Sequence, residues 1–232
     1  MKRPYIICHM TTSVDGKVTG DFLFREECAP ATEIYYEINQ KLKCQGFICG
    51  RVTMEESFTS KWYPDLDSYE EVKDREDFIP LTLSGFYAVA FDTKGRLGWK
   101  SDRIIDPDSD PGYDGAQIIE VLSEQAEDKY LGYLRSMNIP YIFAGKESID
   151  VSLALEKLRE KFSIDKLLLE GGSDINGSFL IADAVDELSL TVAPVVAGVE
   201  SKPLFGDSKI SDFELSSADT KNGVLILSYK KN

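Results

Sequence analysis

The chain has 232 residues, of which 43% are hydrophobic and 28% charged, and its formal net charge is -14 at pH 7. This composition is ordinary for a globular protein with a packed core. The negative charge and the lack of a basic cluster argue against DNA or RNA as a partner, because a polyanion would be repelled. No linker, repeat or low-complexity stretch divides the sequence, so we predict a single domain over residues 1–232.

The N-terminal segment MKRPYIICHM carries two basic residues, but polar groups interrupt its apolar run and no small-residue cleavage site follows. It therefore favours a first strand over a signal peptide. Nowhere do about 18 apolar residues follow one another, which is the length that a membrane-spanning helix needs. We expect a cytoplasmic protein that does not bind membranes.

The cysteines lie in the first quarter of the chain and lack the two-residue spacing of zinc and redox sites; they are Cys8, Cys28, Cys44 and Cys49. Buried, reduced thiols are the expected state. The single histidine, His9, falls within an apolar segment and is expected to be a hydrogen-bonded, half-buried side chain. These counts exclude a histidine-based triad, and we predict no metal site.

Strand and helix patterns alternate along the chain. Strands are predicted at 5–10, 46–49, 86–91, 141–143, 166–169, 187–196 and 224–229, and helices at 31–44, after Arg51, at 123–137, at 151–162 and behind Ser173. This order predicts an α/β fold with a central, mostly parallel β-sheet, antiparallel C-terminal edge strands and flanking helices.

Residues 167–180, LLLEGGSDINGSFL, form an apolar strand that ends at Glu170, turns through Gly171 and Gly172, and enters a helix at Ser173. A helix N-terminus behind glycines exposes backbone N–H groups to an anion, and a diphosphate fits such a place. A solvent-facing Glu170 on an ordinary turn is the alternative. Gly177 lies inside the helix, where glycine costs about 1 kcal/mol relative to alanine, so we expect it to approach the cofactor or the sheet closely.

Two further turns follow strands. Asp15-Gly16-Lys17 has the chemistry of a tight reversal and, by itself, is typical of a hairpin with a solvated lysine. Gly50, Arg51 and Thr53 follow a buried strand, where glycine permits close approach of a phosphate and the threonine hydroxyl lies at a helix start. For the second turn, the alternative interpretation is an ordinary connection between a strand and a helix.

Four segments together, MTTSVDGKVT, GFICGRVT, EGGSDINGSFL and DELSLTVAPVV, resemble the RibD C-terminal family, the reductase domain of riboflavin biosynthesis. The resemblance spans nearly the whole chain. It implies the fold of dihydrofolate reductase, NADPH as the cofactor, and a homodimer that associates through sheet edges and the C-terminal region.

The implied reaction is hydride transfer to the ribosyl C1′ of a pyrimidine nucleotide, as in 5-amino-6-(5-phosphoribosylamino)uracil reductase. By resemblance, Lys17 and Glu170 lie near the reacting centre with Asp15 assisting, and Ser13, Asp15 and Glu170 contact substrate. The cofactor residues would be Gly50, Arg51, Thr53, Thr93, Lys94, Gly171, Gly172 and Ser173. Lys94 or Arg96 would meet the adenosine 2′-phosphate, and the loops at Gly50 and Gly171 would grip the dinucleotide together.

Departures from the family pattern leave the substrate open. Family members carry an arginine and an aspartate where this chain has Lys43 and Gln45, and the deaminase zinc signature of bifunctional enzymes is missing. A reductase of a pterin, a folate or another small molecule is one alternative. A nucleotide-binding protein without catalytic activity is the other.

Two segments of the chain are rich in acidic residues. Residues 64–78 are expected to form a solvated surface insertion near the mouth of the pocket. Residues 106–117 begin like a calcium loop, but Pro111 replaces the required glycine and Gln117 the required glutamate, so calcium binding is not expected.

Overall fold

The computed structural model describes residues 2–106 and 112–232. The chain divides into two compact units by its internal contacts. Unit one comprises Met1–Pro4 and Gln45–Asp165, and unit two comprises Tyr5–Cys44 and Lys166–Asn232. The single domain predicted from the sequence stays a prediction.

The strands of the described residues are β1 (Tyr5–Ser13), β2 (Gly46–Gly50), β3 (Tyr87–Phe91), β4 (Gln117–Leu122), β5 (Tyr141–Phe143), β6 (Lys166–Leu169), β7 (Glu187–Ala193), β8 (Phe213–Lys221) and β9 (Val224–Lys231). The helices are α1 (Ala29–Leu42), α2 (Arg51–Met54), α3 (Asp128–Ser136), α4 (Val151–Phe162) and α5 (Ser173–Ile181). A π-helical turn, Glu55–Thr59, continues α2.

In unit one, β2, β3, β4 and β5 pair side by side, and every pairing is parallel. All residues of β3 and β4 are buried, as expected for parallel strands that are covered on both faces. Helix α3 buries an apolar face that includes Tyr130 and Leu134. Helix α4 buries one that includes Leu155 and Leu158.

In unit two, β1 pairs in parallel with β6 on one side and with β7 on the other. Antiparallel pairing then joins β7 to β9 and β9 to β8. The predicted α/β fold, with a mostly parallel sheet and antiparallel C-terminal strands, is confirmed. Most of β8 is exposed, so this strand is an open edge of unit two.

Several predicted boundaries match the structure. The strands 141–143 and 166–169 and the helix 151–162 have the predicted ends. Asp150 explains the start of α4, because its carboxylate accepts a hydrogen bond from Leu153 N at 3.1 Å. Ser163 follows α4 in the left-handed conformation, which ends the helix.

Other predictions were wrong. The helix predicted at 123–137 begins at Asp128, because Ser123 N and Oγ both donate to Thr93 O and Glu127 is extended. The strands β4 and β8 were not predicted. β4 was missed because Gln117 and Glu120 interrupt its apolar pattern, and β8 because its exposed, polar sequence lacks an apolar run.

His9 is hydrogen-bonded as expected, but it is fully buried and not half-buried. His9 Nε2 is 2.9 Å from Tyr35 O, Nδ1 is 3.0 Å from Ser189 Oγ, and the ring stacks on Tyr35. Burial lowers the pKa of His9 to about 4. The cysteines are free thiols, and Cys44 is the half-buried one among them.

The acidic segment 64–78 is anchored rather than merely solvated. Arg75 pairs with Asp128 at 2.7 Å, and Asp77 accepts hydrogen bonds from Phe143 N at 2.8 Å and Lys157 Nζ at 2.9 Å. Backbone bonds also join Phe78 to Tyr141 in both directions. The segment therefore covers β5, the outer strand of unit one, and protects its edge.

Part of the calcium-like segment, residues 107–111, lies outside the described residues. Gln45, which stands at a departure from the family pattern, bonds to Ser163 O and Asp165 N within unit one. In the part of the chain that the structure describes, no helix combines the length and the apolar character that crossing a membrane requires. The cytoplasmic location stays a prediction.

Candidate active site

The turn after β1 is the tight reversal that the sequence predicted. Gly16 has a φ of 71°, which favours glycine. Ser13 Oγ donates to Asp15 Oδ1 at 2.6 Å and accepts from Lys17 N at 2.9 Å, while Ser13 N donates to Lys17 O at 2.9 Å. The Ser13 hydroxyl is therefore engaged in forming the turn.

Asp15 joins this turn to the segment that follows β7. Its carboxylate accepts hydrogen bonds from Ala197 N at 2.9 Å and Gly198 N at 3.1 Å, in addition to the one from Ser13. The Ser13 hydroxyl and then the Ala197 amide lower the pKa of Asp15 to about 2. Asp15 is thus an ionised group whose oxygens hold the turn in place.

Lys17 is half-buried and its backbone is fixed from both sides. Its main chain pairs with Pro203 in an isolated antiparallel bridge. Among the described residues, no carboxylate oxygen lies within 4.0 Å of its ammonium group. Lys17 therefore presents a cation from a rigid backbone.

Glu170 directly follows β6 and is 8% exposed, so the alternative of a solvent-facing carboxylate is wrong. Asn39, on α1, donates from Nδ2 to Glu170 Oε1 at 2.7 Å. The pKa of the Cys8 thiol is raised first by burial and then by the charge of Glu170, which places that charge beside β1. An oriented, buried carboxylate at a strand end is a typical functional group.

The N-terminus of α5 has the features of an anion site. Gly171 has a φ of 92°, which favours glycine, and no side chain caps the helix. Ser173 Oγ and Asn176 Oδ1 are buried and have no hydrogen-bond partner among the described residues. Buried polar atoms without partners cost free energy, and a bound ligand would satisfy them.

Gly177 is needed because the chain runs close to α5. A Cβ at this position would collide with Asp207 O. Asn176 Nδ2 also donates to Leu204 O at 3.0 Å in the same connecting segment. The expected close approach is therefore present, but it involves the loop before β8 and not the sheet.

Unit one contains a cationic pocket of about 380 Å³. It is lined by Arg51, Phe91, Asp92, Thr93, Lys94 and Arg96. The sequence had singled out Arg51, Thr93, Lys94 and Arg96, and the structure brings them together. In a chain of net charge -14, three cations around one pocket form a local site for an anion.

The remaining predicted residues of this unit lie at the start of α2. Gly50 precedes the helix with a φ of -75° and a ψ of 160°, a conformation that any residue adopts. Thr53 lies in the first turn of α2. Arg51 Nη1 pairs with Glu55 at 2.7 Å, which orients its guanidinium. Cofactor contacts of Gly50 and Thr53 stay predictions.

Asp92 lines the pocket, but its carboxylate is turned towards the protein. It is 1% exposed, and Oδ2 accepts hydrogen bonds from Arg96 N and from Leu97 N, the latter at 2.8 Å. Burial raises the pKa of Asp92, while the backbone amides and Arg51 oppose that change. Asp92 thus organises the loop that carries Lys94 and Arg96.

A second buried acid, Glu120 on β4, lies deeper in unit one. Its Oε1 accepts hydrogen bonds from Trp99 Nε1 at 2.5 Å and Tyr130 OH at 3.4 Å. Burial, followed by the charge of Asp92, raises the pKa of Glu120 well above its ordinary value. Glu120 therefore favours its protonated form.

Sequence reasoning missed Asn39 and Glu120. Asn39 is 131 positions from Glu170 along the chain and belongs to no motif. Glu120 has one available signal, since it is a charged residue in the apolar run QIIEVL. Such a residue in a covered strand calls for a buried partner.

The sequence profile of the RibD C-terminal domain family matches residues 4–226. This chain belongs to that family of riboflavin-biosynthesis reductases. A 2,5-diamino-6-ribosylamino-4(3H)-pyrimidinone 5′-phosphate reductase of Aquifex aeolicus is 27% identical over 210 residues, covering 88% of this chain and 82% of that protein. The enzyme of the same name from Methanothermobacter thermautotrophicus is 35% identical over 85 residues, which is 37% of this chain and 38% of that protein.

Solved structures show the same fold. The riboflavin biosynthesis reductase of Saccharomyces cerevisiae has a TM-score of 0.66 at 14% identity, with 100% of this chain and 91% of that chain covered. RibD of Acinetobacter baumannii, in one crystal form, has a TM-score of 0.67 at 15% identity. All of this chain is covered in that comparison, but it spans 59% of the Acinetobacter protein.

Proposed function

We propose that this protein is an NADPH-dependent reductase of 2,5-diamino-6-ribosylamino-4(3H)-pyrimidinone 5′-phosphate, the substrate in the name of the Aquifex aeolicus relative. The observation that carries the proposal is the cationic pocket of unit one in a chain of this reductase family. The reaction reduces the ribosyl group to a ribityl chain. The corresponding uracil, 5-amino-6-(5-phosphoribosylamino)uracil, is the second pyrimidine substrate to test.

The lining of the unit one pocket fits the 2′-phosphate of NADPH. Lys94 and Arg96 are exposed at the pocket, and Arg51 adds a third cation. A cofactor site for NADH often uses an acidic residue to accept the ribose 2′-hydroxyl, whereas an arginine accommodates a 2′-phosphate. Asp92 is the acid at this strand end, but it is committed to the amides of Arg96 and Leu97. These residues would therefore favour NADPH over NADH.

The start of α5, in unit two, has by itself the features of a diphosphate site. The first N–H groups of a helix lack partners within the helix and carry its positive end. Gly172 precedes α5 without a capping side chain, and Ser173 adds a buried hydroxyl whose Oγ has no partner among the described residues. The grip of one dinucleotide by the loops at Gly50 and Gly171 together stays a prediction.

When bound, NADPH supplies a hydride. The open-chain imine form of the substrate must first gain one proton at its nitrogen; the protonated imine would then accept that hydride at C1′, and the C1′–N π electrons would become the lone pair of the product amine. We assign this proton to Lys17, whose ammonium lies on a rigid turn and has no carboxylate partner within 4.0 Å among the described residues. Glu170, held by Asn39, would orient the substrate and stabilise the positive charge of the protonated imine.

Turnover assays test the proposal. The full chain is mixed with NADPH and, separately, with the diaminopyrimidinone phosphate, its uracil counterpart or dihydrofolate, and the nicotinamide absorbance is followed. We expect rapid oxidation with the diaminopyrimidinone phosphate. Faster turnover of dihydrofolate would replace the proposal with a folate reductase. NADPH binding without turnover of any of the three would support the non-catalytic alternative.

We also propose a homodimer through the open edge of β8. Leu215, on this strand, is 52% exposed, and an uncovered strand edge tends to pair with another chain. Sedimentation velocity of the intact protein should give a dimer, and Leu215→Glu should shift it towards monomer. A monomeric wild type at micromolar concentration would contradict this assignment.

A further inference from the structure

We call the loop Thr93–Trp99 the phosphate loop. Every second carbonyl group of this loop, starting at Thr93, accepts a hydrogen bond. Thr93 O accepts from Ser123 N at 3.1 Å and from Ser123 Oγ at 2.7 Å. Further along the loop, three tyrosine hydroxyls donate to carbonyls: Tyr63 to Gly95 O at 3.0 Å, Tyr130 to Leu97 O at 2.8 Å, and Tyr133 to Trp99 O. The loop backbone is therefore held by side chains from outside the loop.

The amides of the loop are also engaged. Gly95 N donates to Asp92 O at 3.1 Å, and the Asp92 carboxylate takes the next two N–H groups, those of Arg96 and Leu97. A loop whose neighbouring backbone groups are already held loses less entropy when a ligand binds to its side chains. Lys94 and Arg96 are thus displayed from a preformed loop.

Among the three tyrosines, Tyr63 differs in its position. Tyr130 and Tyr133 are 0% and 1% exposed, whereas Tyr63 is 42% exposed. Its ring lies parallel to that of Tyr130, with centroids 6.2 Å apart. Burial raises the pKa of Tyr63 to about 12, so its hydroxyl keeps the proton that it donates.

Gly95 is the residue that Tyr63 holds, and it lies between the two pocket cations in sequence. Gly95 has a φ of 67°, and a Cβ there would collide with the Tyr130 ring. Its Cα therefore packs against one tyrosine while its carbonyl bonds to the other. A rotation of this glycine would redirect Lys94 and Arg96 together.

We propose that Tyr63 is a positioning residue for cofactor selectivity: its hydroxyl holds Gly95 so that Lys94 and Arg96 converge on a phosphate monoester of the bound nucleotide. This inference rests on the proposed function and deepens it. In this proposal Tyr63 has no role in the chemical step and acts through the two cations. Its removal should weaken binding of a phosphate-bearing cofactor more than binding of NADH.

The test compares Tyr63→Phe with wild type by calorimetric titration with NADPH, NADH and adenosine 2′,5′-bisphosphate. Loss of one net hydrogen bond, about 0.5–1.5 kcal/mol, corresponds to affinity lower by roughly 2- to 13-fold for NADPH and for the bisphosphate. NADH affinity should change by less than about twofold, and the rate at saturating NADPH should stay the same while KM for NADPH rises.

Tyr141→Phe is the matched control, because Tyr141 is also in unit one and its hydroxyl accepts from Arg135 Nε, away from the phosphate loop. It should leave all three affinities unchanged. Equal losses for NADPH and NADH in Tyr63→Phe, or no loss for either, would overturn the inference while leaving the proposed function intact. A wild type that binds none of the three nucleotides would overturn both.

Discussion

The two units hold their functional segments in opposite ways. In unit one, surrounding side chains bind the backbone of the phosphate loop, so Lys94 and Arg96 are left to face the pocket. In unit two, the side chains of the turn, Ser13 and Asp15, bind the backbone themselves. A polar residue in a motif is therefore available for chemistry when other groups hold its loop, as in unit one.

The same contrast separates the residues of the predicted active site. Ser13 and Asp15 have their oxygens engaged in local structure, whereas the Lys17 ammonium has no carboxylate within 4.0 Å among the described residues and Glu170 is oriented by Asn39. We therefore expect substitutions of Lys17 and Glu170 to lower the catalytic rate most. The substrate and catalytic roles of Ser13 and Asp15 stay predictions.

The largest expected effect is the loss of catalysis in Lys17→Ala and Glu170→Gln. Removing a proton donor or a charge-stabilising group should lower kcat by about 10²- to 10⁴-fold, with KM for NADPH changed little. Steady-state kinetics measures both values. Lys41→Ala, an exposed lysine of the same unit, is the control and should keep the wild-type rate. A kcat within about threefold of wild type for both active-site variants would contradict their assignment.

The second-largest expected effect is on stability: His9, in unit two, should make the protein less stable as the pH falls. Its folded pKa of about 4 is below the ordinary 6.5, so the unfolded chain takes up the proton first and stability falls as pH drops between these values. The full loss is about 3 kcal/mol. Urea unfolding at several pH values should show this slope in wild type and a flatter one in His9→Gln. Equal slopes would contradict the assignment.

Cofactor affinity should respond next. Lys94→Ala and Arg96→Ala each remove a charge-assisted contact, and we expect NADPH to bind about tenfold more weakly in each. The loss should be smaller for NADH and should shrink as salt is added, because the contacts are electrostatic. Lys73→Ala, an exposed lysine elsewhere in unit one, should bind NADPH like wild type. Equal losses of affinity for NADH and NADPH would contradict the assignment of the 2′-phosphate to this pocket.

Glu120, in unit one, should change the stability of the protein with pH in the opposite direction to His9. Its folded pKa is raised, so its contribution to stability is full below its ordinary value of 4.5 and is lost as pH rises through the folded pKa. Glu120→Gln keeps the acceptor for Trp99 and Tyr130 without an ionisable group. The variant should gain stability relative to wild type as pH rises from about 5 to about 8. A constant difference between the two proteins would show that Glu120 does not titrate in this way.

The smallest catalytic effect is expected for Asp15→Asn. Replacement weakens the bonds to Ala197 N and Gly198 N, so Tm should fall while kcat stays close to wild type. Because the pKa of Asp15 is about 2, this contribution should persist through mildly acidic pH and be lost as pH falls towards that value. A drop in kcat of about 100-fold would instead establish the catalytic role that the family resemblance implies.

Much of the fold and part of the site could be predicted from the sequence. Apolar runs bounded by turn residues located β5, β6 and α4, and glycines after strands located the turns at Gly16 and Gly171. Local patterns carry this information because strand burial and positive φ are properties of short segments. The polar β8 and the partly charged β4 gave weak patterns and were missed.

Long-range partners could not be predicted in the same way. No local pattern links Asn39 to Glu170, or Tyr63 to Gly95, because those contacts depend on how helices and loops pack within each unit. The sequence likewise places Asp15 in a functional turn without showing that its oxygens are already engaged. Side-chain availability is a property of the folded chain.

Following the transferred hydrogen tests the proposed reaction most directly. The enzyme is supplied with NADPH deuterated at the transferable position of nicotinamide C4 and with 2,5-diamino-6-ribosylamino-4(3H)-pyrimidinone 5′-phosphate, the substrate named for the Aquifex aeolicus relative. We expect a ribitylamino product that carries the deuterium at C1′, detected by NMR and mass spectrometry. A product without deuterium at C1′, or no product while NADPH remains unoxidised, would contradict the proposed reaction.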